Sequence, residues 1–181
     1  AIDIGGTGLK AAIVGPDGRF LVDRVRIKTP SNCAPRRMVP LLADLVKPLG
    51  AFDHVTIGFP GVVKRGHVIS APHLGTGQWH GFALERAMQK RLGKPVKLLN
   101  DADVQGLAAM QGDGLELVCT LGTGLGTAWF RDGELMPHMD LAHLTIRKKD
   151  DFDCYVGDRT RDKSGNKRWN KRVRKLSGVL E

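Results

Sequence analysis

The sequence has no run of about 18 apolar residues, the length a helix needs to cross a bilayer, so no membrane span is expected. It has no charged-then-apolar leader, so secretion is not expected. Cysteine is scarce. Cys33, Cys119 and Cys154 are far apart and odd in number. That excludes a paired-cysteine metal site and a disulfide framework, and it points to a reducing cytoplasm. No Gly-x-x-x-x-Gly-Lys-Ser/Thr loop occurs, which excludes a Walker A nucleotide site. Aromatic residues are also few, at 6%. In the basic tail only Tyr155 and Trp169 could stack on bases, too few for a single-strand nucleic-acid binder.

What is present is an ordinary folding chain. It has 181 residues, 41% of them hydrophobic, enough for one domain or two small lobes. It opens in mid-strand at Ala1 and stops just past a helical segment at Glu181, so it reads as the ordered part of something longer. The net charge of +9 is uneven: residues 147–175 hold twelve Lys or Arg against five Asp, which is +7 of the total. Such asymmetry suits either an anionic partner or a solvated helix face.

Apolar and β-branched residues predict strands in "AIDIGG" and "KAAIVGPDGRFLVDRVRI", with a turn at Pro16-Asp17-Gly18. Met38, Leu41, Leu42, Leu45 and Leu49 recur at helical spacing, which predicts a helix over 34–50. A short strand in "HVTIGFPGVV" runs into a Gly-Pro-Gly type loop. "GFALERAMQKRLG" predicts a second amphipathic helix, closed by Gly93. "KPVKLLN" is expected to be a strand, and "DADVQGLAAMQ" a helix with Asp101 at its cap. Trp169, Val173 and Leu176 share a stripe in a last helix, which would pack Trp169 inward. "SAPHLGTGQW" (70–79) has the polar and aromatic groups of a sugar-facing loop, or of an ordinary surface loop.

Two stretches share an order of events. "AIDIGGTGLKAAIVGPDG" and "VCTLGTGLGTAWFRDG" each run strand, Gly-Thr-Gly loop, strand, Asp-Gly turn. This weak internal repeat suggests two related lobes, each presenting a glycine hairpin toward a common cleft. Loops without side chains let backbone N–H groups converge on an anion, and Thr7 and Thr123 add hydroxyls. Asp3, just before the first loop, would repel a phosphate unless Mg²⁺ intervened, or it caps a turn. Asp101, between a strand and a helix, is either a cap or the base that a kinase needs to take a hydroxyl proton. Asn100 could hold a neighbouring hydroxyl. Asp140 and His143, three apart, could reach one polyhydroxyl ligand from a single turn.

"DIGGTGLK" (3–10), "GFPGVV" (58–63), "LLNDADVQGLA" (98–108) and "TLGTGLGTA" (120–128) resemble, in order, the ROK sugar kinases of the actin/hexokinase superfamily. "ELMPHMDLAH" and "KRWNKRV" resemble the polyphosphate glucokinases among them. The resemblance implies an α/β, actin-like and ribonuclease H-like two-lobe fold with mixed sheets and flanking helices. The lobes would be 1–100 and 101–181, with the last part of the second lobe missing after Glu181.

It also implies transfer of a phosphoryl group from polyphosphate or ATP to the 6-hydroxyl of glucose, in a cytoplasmic homodimer. Asp101 would be the base, and Asn100, Asp101, Asp140, His143 and Gly61 would hold glucose. Gly5, Gly6, Thr7, Lys10, Gly122, Thr123 and Gly124 would hold phosphate, with Mg²⁺ at Asp3 through water. The family usually has Glu where Asp140 stands, and no Cys-rich zinc motif follows His143, so no zinc is expected. Two alternatives stay open: an ATP-only hexose kinase, and a non-catalytic ROK sugar sensor or transcriptional regulator. ROK repressors carry a helix-turn-helix before the first phosphate loop, and none precedes Ala1.

Overall fold

The computed structural model describes residues 1–72, 74–147 and 150–180. The chain divides into two compact units, Ala1–Val104 and Gln105–Glu181.

The first unit is built on a five-stranded sheet. Strands β1 (Ile2–Ile4), β2 (Gly8–Ala11) and β3 (Val25–Lys28) form an antiparallel meander. Between β2 and β3 the expected turn is present: Gly15 and Arg19 close it, and Gly18 has φ +79°. Helix α1 (Pro35–Val46) runs into a 3-10 turn at Lys47–Leu49. Strand β4 (Val55–Phe59) then pairs parallel to β1. A small hairpin follows, β5 (Val63–Lys64) and β6 (His67–Val68), then the single turn α2 (Thr76–Trp79) and helix α3 (Leu84–Leu92). Strand β7 (Val96–Asn100) pairs parallel to β4, and the sheet order is β3-β2-β1-β4-β7. Each parallel connection carries a helix, as chain crossovers between parallel strands require.

The two predicted stripes pack as expected. Met38, Leu42 and Leu45 of α1, and Leu84 and Met88 of α3, bury against Ile2, Ile4, Ile57 and Leu98 of the sheet. Gly93 ends α3 in the left-handed region, its N–H bonded to the Gln89 carbonyl. Trp79, at the end of the 70–79 stretch, is a core residue. It is fully buried, its indole N–H donates to the Cys33 carbonyl at 3.0 Å, and its ring tilts against Phe59 at 5.1 Å. An aromatic of that size gains more from a dry core with one satisfied N–H than from a wet loop. His73, in the same stretch, lies outside the described residues.

Helix α4 (Asp101–Leu107) follows β7 directly. It ends earlier than 101–111, and its cap is Asn100 rather than Asp101: the Asn100 Oδ1 accepts from Ala102 N–H at 2.8 Å and Asp103 N–H at 3.3 Å.

The second unit holds the antiparallel sheet β8 (Leu115–Leu121), β9 (Leu125–Arg131) and β10 (Glu134–Leu135). Asp132 and Gly133, both at positive φ, turn β9 into β10. A ribbon of β11 (Thr145–Arg147) and β12 (Asp150–Asp151) leads to helices α5 (Phe152–Val156), α6 (Asp158–Ser164) and α7 (Asn166–Leu180). Phe152, Tyr155, Val156 and Leu176 form a small core there with Leu125. Trp169 packs inward as its spacing predicts, its indole N–H donating to the Val156 carbonyl at 2.7 Å. Among the described residues no helix is long and apolar enough to cross a membrane.

Candidate active site

Parallel strands deliver their carboxyl ends to one edge of a sheet, and ligands of open α/β sheets bind there. In the first unit that edge collects three sequence-predicted segments. Asp3 on β1 is in register with Gly58 on β4, which is in register with Leu99 on β7. One to three residues further on come the glycine loop 5–7, the loop at Gly61, and the pair Asn100–Asp101.

The first loop is tied at its base. Gly5 N–H donates to the Gly8 carbonyl at 3.0 Å, and the Thr29 hydroxyl donates to the Gly5 carbonyl at 2.6 Å. Gly6 and Thr7 are exposed, and among the described residues their N–H groups have no protein partner. Two such amides at a loop tip can take an anion. Asp3 and Lys10 face each other across β1 and β2 and form an ion pair at 2.9 Å. The carboxylate beside the loop is thus already met by a cation. Among the described residues no cluster of three or more metal-ligating side chains exists. A magnesium ion fits here only if most of its oxygens come from phosphate and water, with Asp3 as the single carboxylate.

Asn100 is 6% exposed and holds two segments at once. While its oxygen caps α4, its Nδ2 donates to the Gly61 carbonyl at 3.0 Å. Gly61 is a close-approach glycine: a Cβ there would run into the Ser70 carbonyl oxygen. The Ser70 hydroxyl in turn accepts from Val62 N–H at 3.0 Å. Asp101 is half-buried in the first turn of α4, and its Oδ1 accepts from Ala102 N–H at 2.9 Å. The strand end, the cap and the glycine loop together fix where the Asp101 carboxylate sits. A cavity of about 290 Å³, lined by Ala12, Val14, Leu21, Phe52 and His54 among others, lies at the opposite, amino-terminal ends of β1 and β4.

In the second unit the glycine loop closes β8 onto β9, the same hairpin arrangement as β1 and β2. Gly122 N–H donates to the Gly124 carbonyl at 3.0 Å, and Thr123 and Gly124 keep N–H groups without a partner among the described residues. Sequence reading missed what lies under this loop. Asp153 of α5 accepts from Leu125 N–H at 2.8 Å, and a Cβ on Gly124 would collide with its carboxylate. Gly157 abuts the Thr123 carbonyl, and Asp158 N–H donates to the Gly122 carbonyl at 2.9 Å. The signal was the glycine itself, but its partner is 29 residues away and local spacing does not reveal it.

Asp140 and His143 are both exposed on the segment before β11. The Asp140 Oδ1 accepts from Ala142 N–H at 3.2 Å, which makes a local turn. His143 Nδ1 lies 3.7 Å from Asp151. Asp151 caps α5 through Cys154 N–H at 2.7 Å, and that bond, followed by His143, holds its carboxyl below the usual range. The same segment runs beside α5, through Asp153 N–H to the Ala142 carbonyl at 2.9 Å, so α5 carries both this pair and the glycine loop.

The pattern of the ROK family matches residues 1–157. The polyphosphate glucokinase of Mycobacterium tuberculosis is 33% identical over 157 residues, covering 82% of this chain and 59% of the relative. The N-acetylmannosamine kinase of Escherichia coli is 35% identical over 142 residues, covering 75% of this chain and 48% of the relative. Among solved structures, the inorganic polyphosphate/ATP-glucomannokinase of Arthrobacter sp. strain KM superposes with a TM-score of 0.79 at 35% identity, over 91% of this chain and 70% of that one. The chain thus spans less than two thirds of the length of these curated relatives.

Proposed function

The chain belongs to the ROK family, and on that premise we propose that it is part of a sugar kinase that phosphorylates the 6-hydroxyl of glucose. The observation that carries this reading is the convergence, at one sheet edge, of a half-buried Asp101 on a rigid strand–helix junction with a glycine loop whose two tip amides have no partner among the described residues.

Asp101 takes the proton from the 6-hydroxyl as that oxygen attacks the donor's terminal phosphorus. The new O–P bond forms, and the bridging P–O bond to the shortened donor breaks. A positioned carboxylate base contributes about 10²–10⁴-fold to such a step. In the first unit we assign the amides of Gly6 and Thr7 to the donor's oxygens, held in place before charge develops; in the second unit we assign the amides of Thr123 and Gly124 to phosphate as well. Lys10 keeps Asp3 neutralised, so the carboxylate does not repel an arriving phosphate. Mg²⁺ brought in with the donor would offset its charge, with Asp3 holding ion-bound water. Asn100 has a second amide hydrogen left for a sugar hydroxyl, and we assign further sugar contacts to Gly61, Asp140 and His143. Asp140 is shorter than the family's usual Glu, so its contact is expected to be the weakest of the set. The resemblance to the polyphosphate-using relatives favours polyphosphate as donor, with ATP as the second.

The test is a coupled assay of the full-length protein with glucose and Mg²⁺, supplied with polyphosphate or ATP. We expect glucose 6-phosphate, and we expect Asp101→Asn to bind glucose while losing about 10²–10⁴ in kcat. Near-normal turnover by that variant rejects the base. No product with either donor rejects the kinase.

A further inference from the structure

Helix α7 carries Lys167, Arg168, Lys171, Arg172, Arg174 and Lys175 and no acidic residue. At 3.6 residues per turn these six cations occupy less than half the circumference. Trp169, Val173, Leu176 and Leu180 lie opposite. That apolar face fixes the rotation of the helix: Leu176 is 3% exposed against Tyr155 and Val156, with Val173 and Leu180 beside it. The cations therefore cannot turn away from one another. Arg172 is spent inward, donating to the Tyr155 carbonyl at 3.3 Å and stacking over its ring. Among the described residues, Lys167, Arg168, Lys171, Arg174 and Lys175 have no ion pair, whereas Arg161 on α6 has two. Like charges three and four residues apart repel, so this helix tolerates a repulsion that a bound polyanion would relieve.

The basic surface also has a starting point. Helix α6 begins where Asp158 N–H meets the Gly122 carbonyl and Gly157 meets Thr123, directly under the second glycine loop. From there Arg159 and Lys163, both exposed, lead into α7. The family pattern ends at residue 157, so the basic helices lie outside what it matches.

Resting on the kinase reading above, we propose that the basic arc of α7 is the track that holds the chain of inorganic polyphosphate while its end occupies loop 122–124. A nucleotide offers three phosphates and then an apolar base. An inorganic polyphosphate offers charge along its whole length and needs no stacking surface. The track has none: Tyr155 is buried, and Trp169 is turned inward against Val156 and Arg161. RNA, the other common polyanion, is normally gripped through exposed aromatics.

The test is equilibrium binding of long-chain inorganic polyphosphate to the full-length protein, without glucose. The combined variant Lys167→Gln, Lys171→Gln, Arg174→Gln and Lys175→Gln is compared with the matching variant that changes Lys167, Lys171 and Lys175 to Arg. Each phosphate left without its cation lowers the log–log salt slope by about 0.7, so the Gln variant is expected to drop about 3 from the slope and about tenfold or more in affinity. The Arg variant is expected to bind like the wild type. Affinity for tripolyphosphate and turnover with ATP are expected to stay unchanged, since both ligands fit on the loop. Long-chain affinity of the Gln variant within about twofold of the wild type overturns the proposal. So does an RNA oligonucleotide of equal charge that binds more tightly than polyphosphate. Because binding is read without turnover, an inactive wild type would sink the kinase reading and leave this measurement to decide the track on its own.

Discussion

Asn100 does two things with one side chain: its oxygen starts α4, and its nitrogen holds the Gly61 loop. Removing it frees both segments beside Asp101. We expect Asn100→Ala to cost about 1–2 kcal/mol through the missing cap alone, read in a denaturant melt, and to lower kcat more than a simple cap defect would. Asn100→Asp keeps the cap acceptor but turns a carboxylate oxygen toward the Gly61 carbonyl, so it should recover part of the cap's stability and not the glucose KM. A melt of Asn100→Ala indistinguishable from the wild type would contradict the clamp. The sequence offered Asn100 and Asp101 as adjacent candidates for one cap, and both residue types cap well. What decides between them is where the β7 ladder stops, and pairing with β4 extends it to Asn100.

At the scale of elements, long periodic segments were legible. The apolar stripes of α1 and α3 found the core that their spacing predicted, and so did Val173 and Leu176 of the α7 stripe, while Trp169 is half-buried beside it, bonded to the Val156 carbonyl. The two glycine hairpins were also legible, because strand, loop and turn residues all agree locally. Helices α5 and α6 were not: they are five and seven residues long, too short for a periodic stripe, and α6 buries no residue. Helix α5 exists because Phe152, Tyr155 and Val156 meet Leu176, a packing that no local pattern encodes. That small core makes α5 to α7 one cooperative patch. Leu176→Ala is expected to cost it about 2–5 kcal/mol, seen as loss of amide-exchange protection in α5 and α7 with the sheet of the first unit unaffected.

The cap of α5 should also titrate. The Asp151 carboxyl is held below its usual range by Cys154 N–H and then by His143. A depressed carboxyl contributes stability that is complete above its unfolded value and is lost as pH falls through the folded one. Amide protection in α5 should therefore fall on acidification below the ordinary carboxylate range, and Asp151→Asn should remove that dependence. An unchanged acid profile in the variant would refute the assignment.

For the whole molecule, the proposed function makes a thermodynamic demand. A ligand that binds only the folded chain stabilises it by mass action, about 2.7 kcal/mol at a hundred times its Kd. Glucose should therefore raise the melting temperature of the full-length protein in a concentration-dependent way. A sugar outside the binding class should not, and no shift up to saturating glucose would count against the sugar site. The net charge of +9 was plain in the sequence. That Lys167, Arg168, Lys171, Arg174 and Lys175 face outward on one arc of α7 was not, because that depends on which face the small core claims.

In the proposed function, both glycine loops would offer an anion main-chain amides rather than side chains. A grip of that kind is hard to retune by point substitution: every residue but proline supplies the same N–H, and a side chain at Gly124 would meet Asp153. Lineages that change phosphoryl donor would have to do so elsewhere in the chain. A solvent-facing helix, where a lysine can come or go without disturbing the interior, is where such a history would be written.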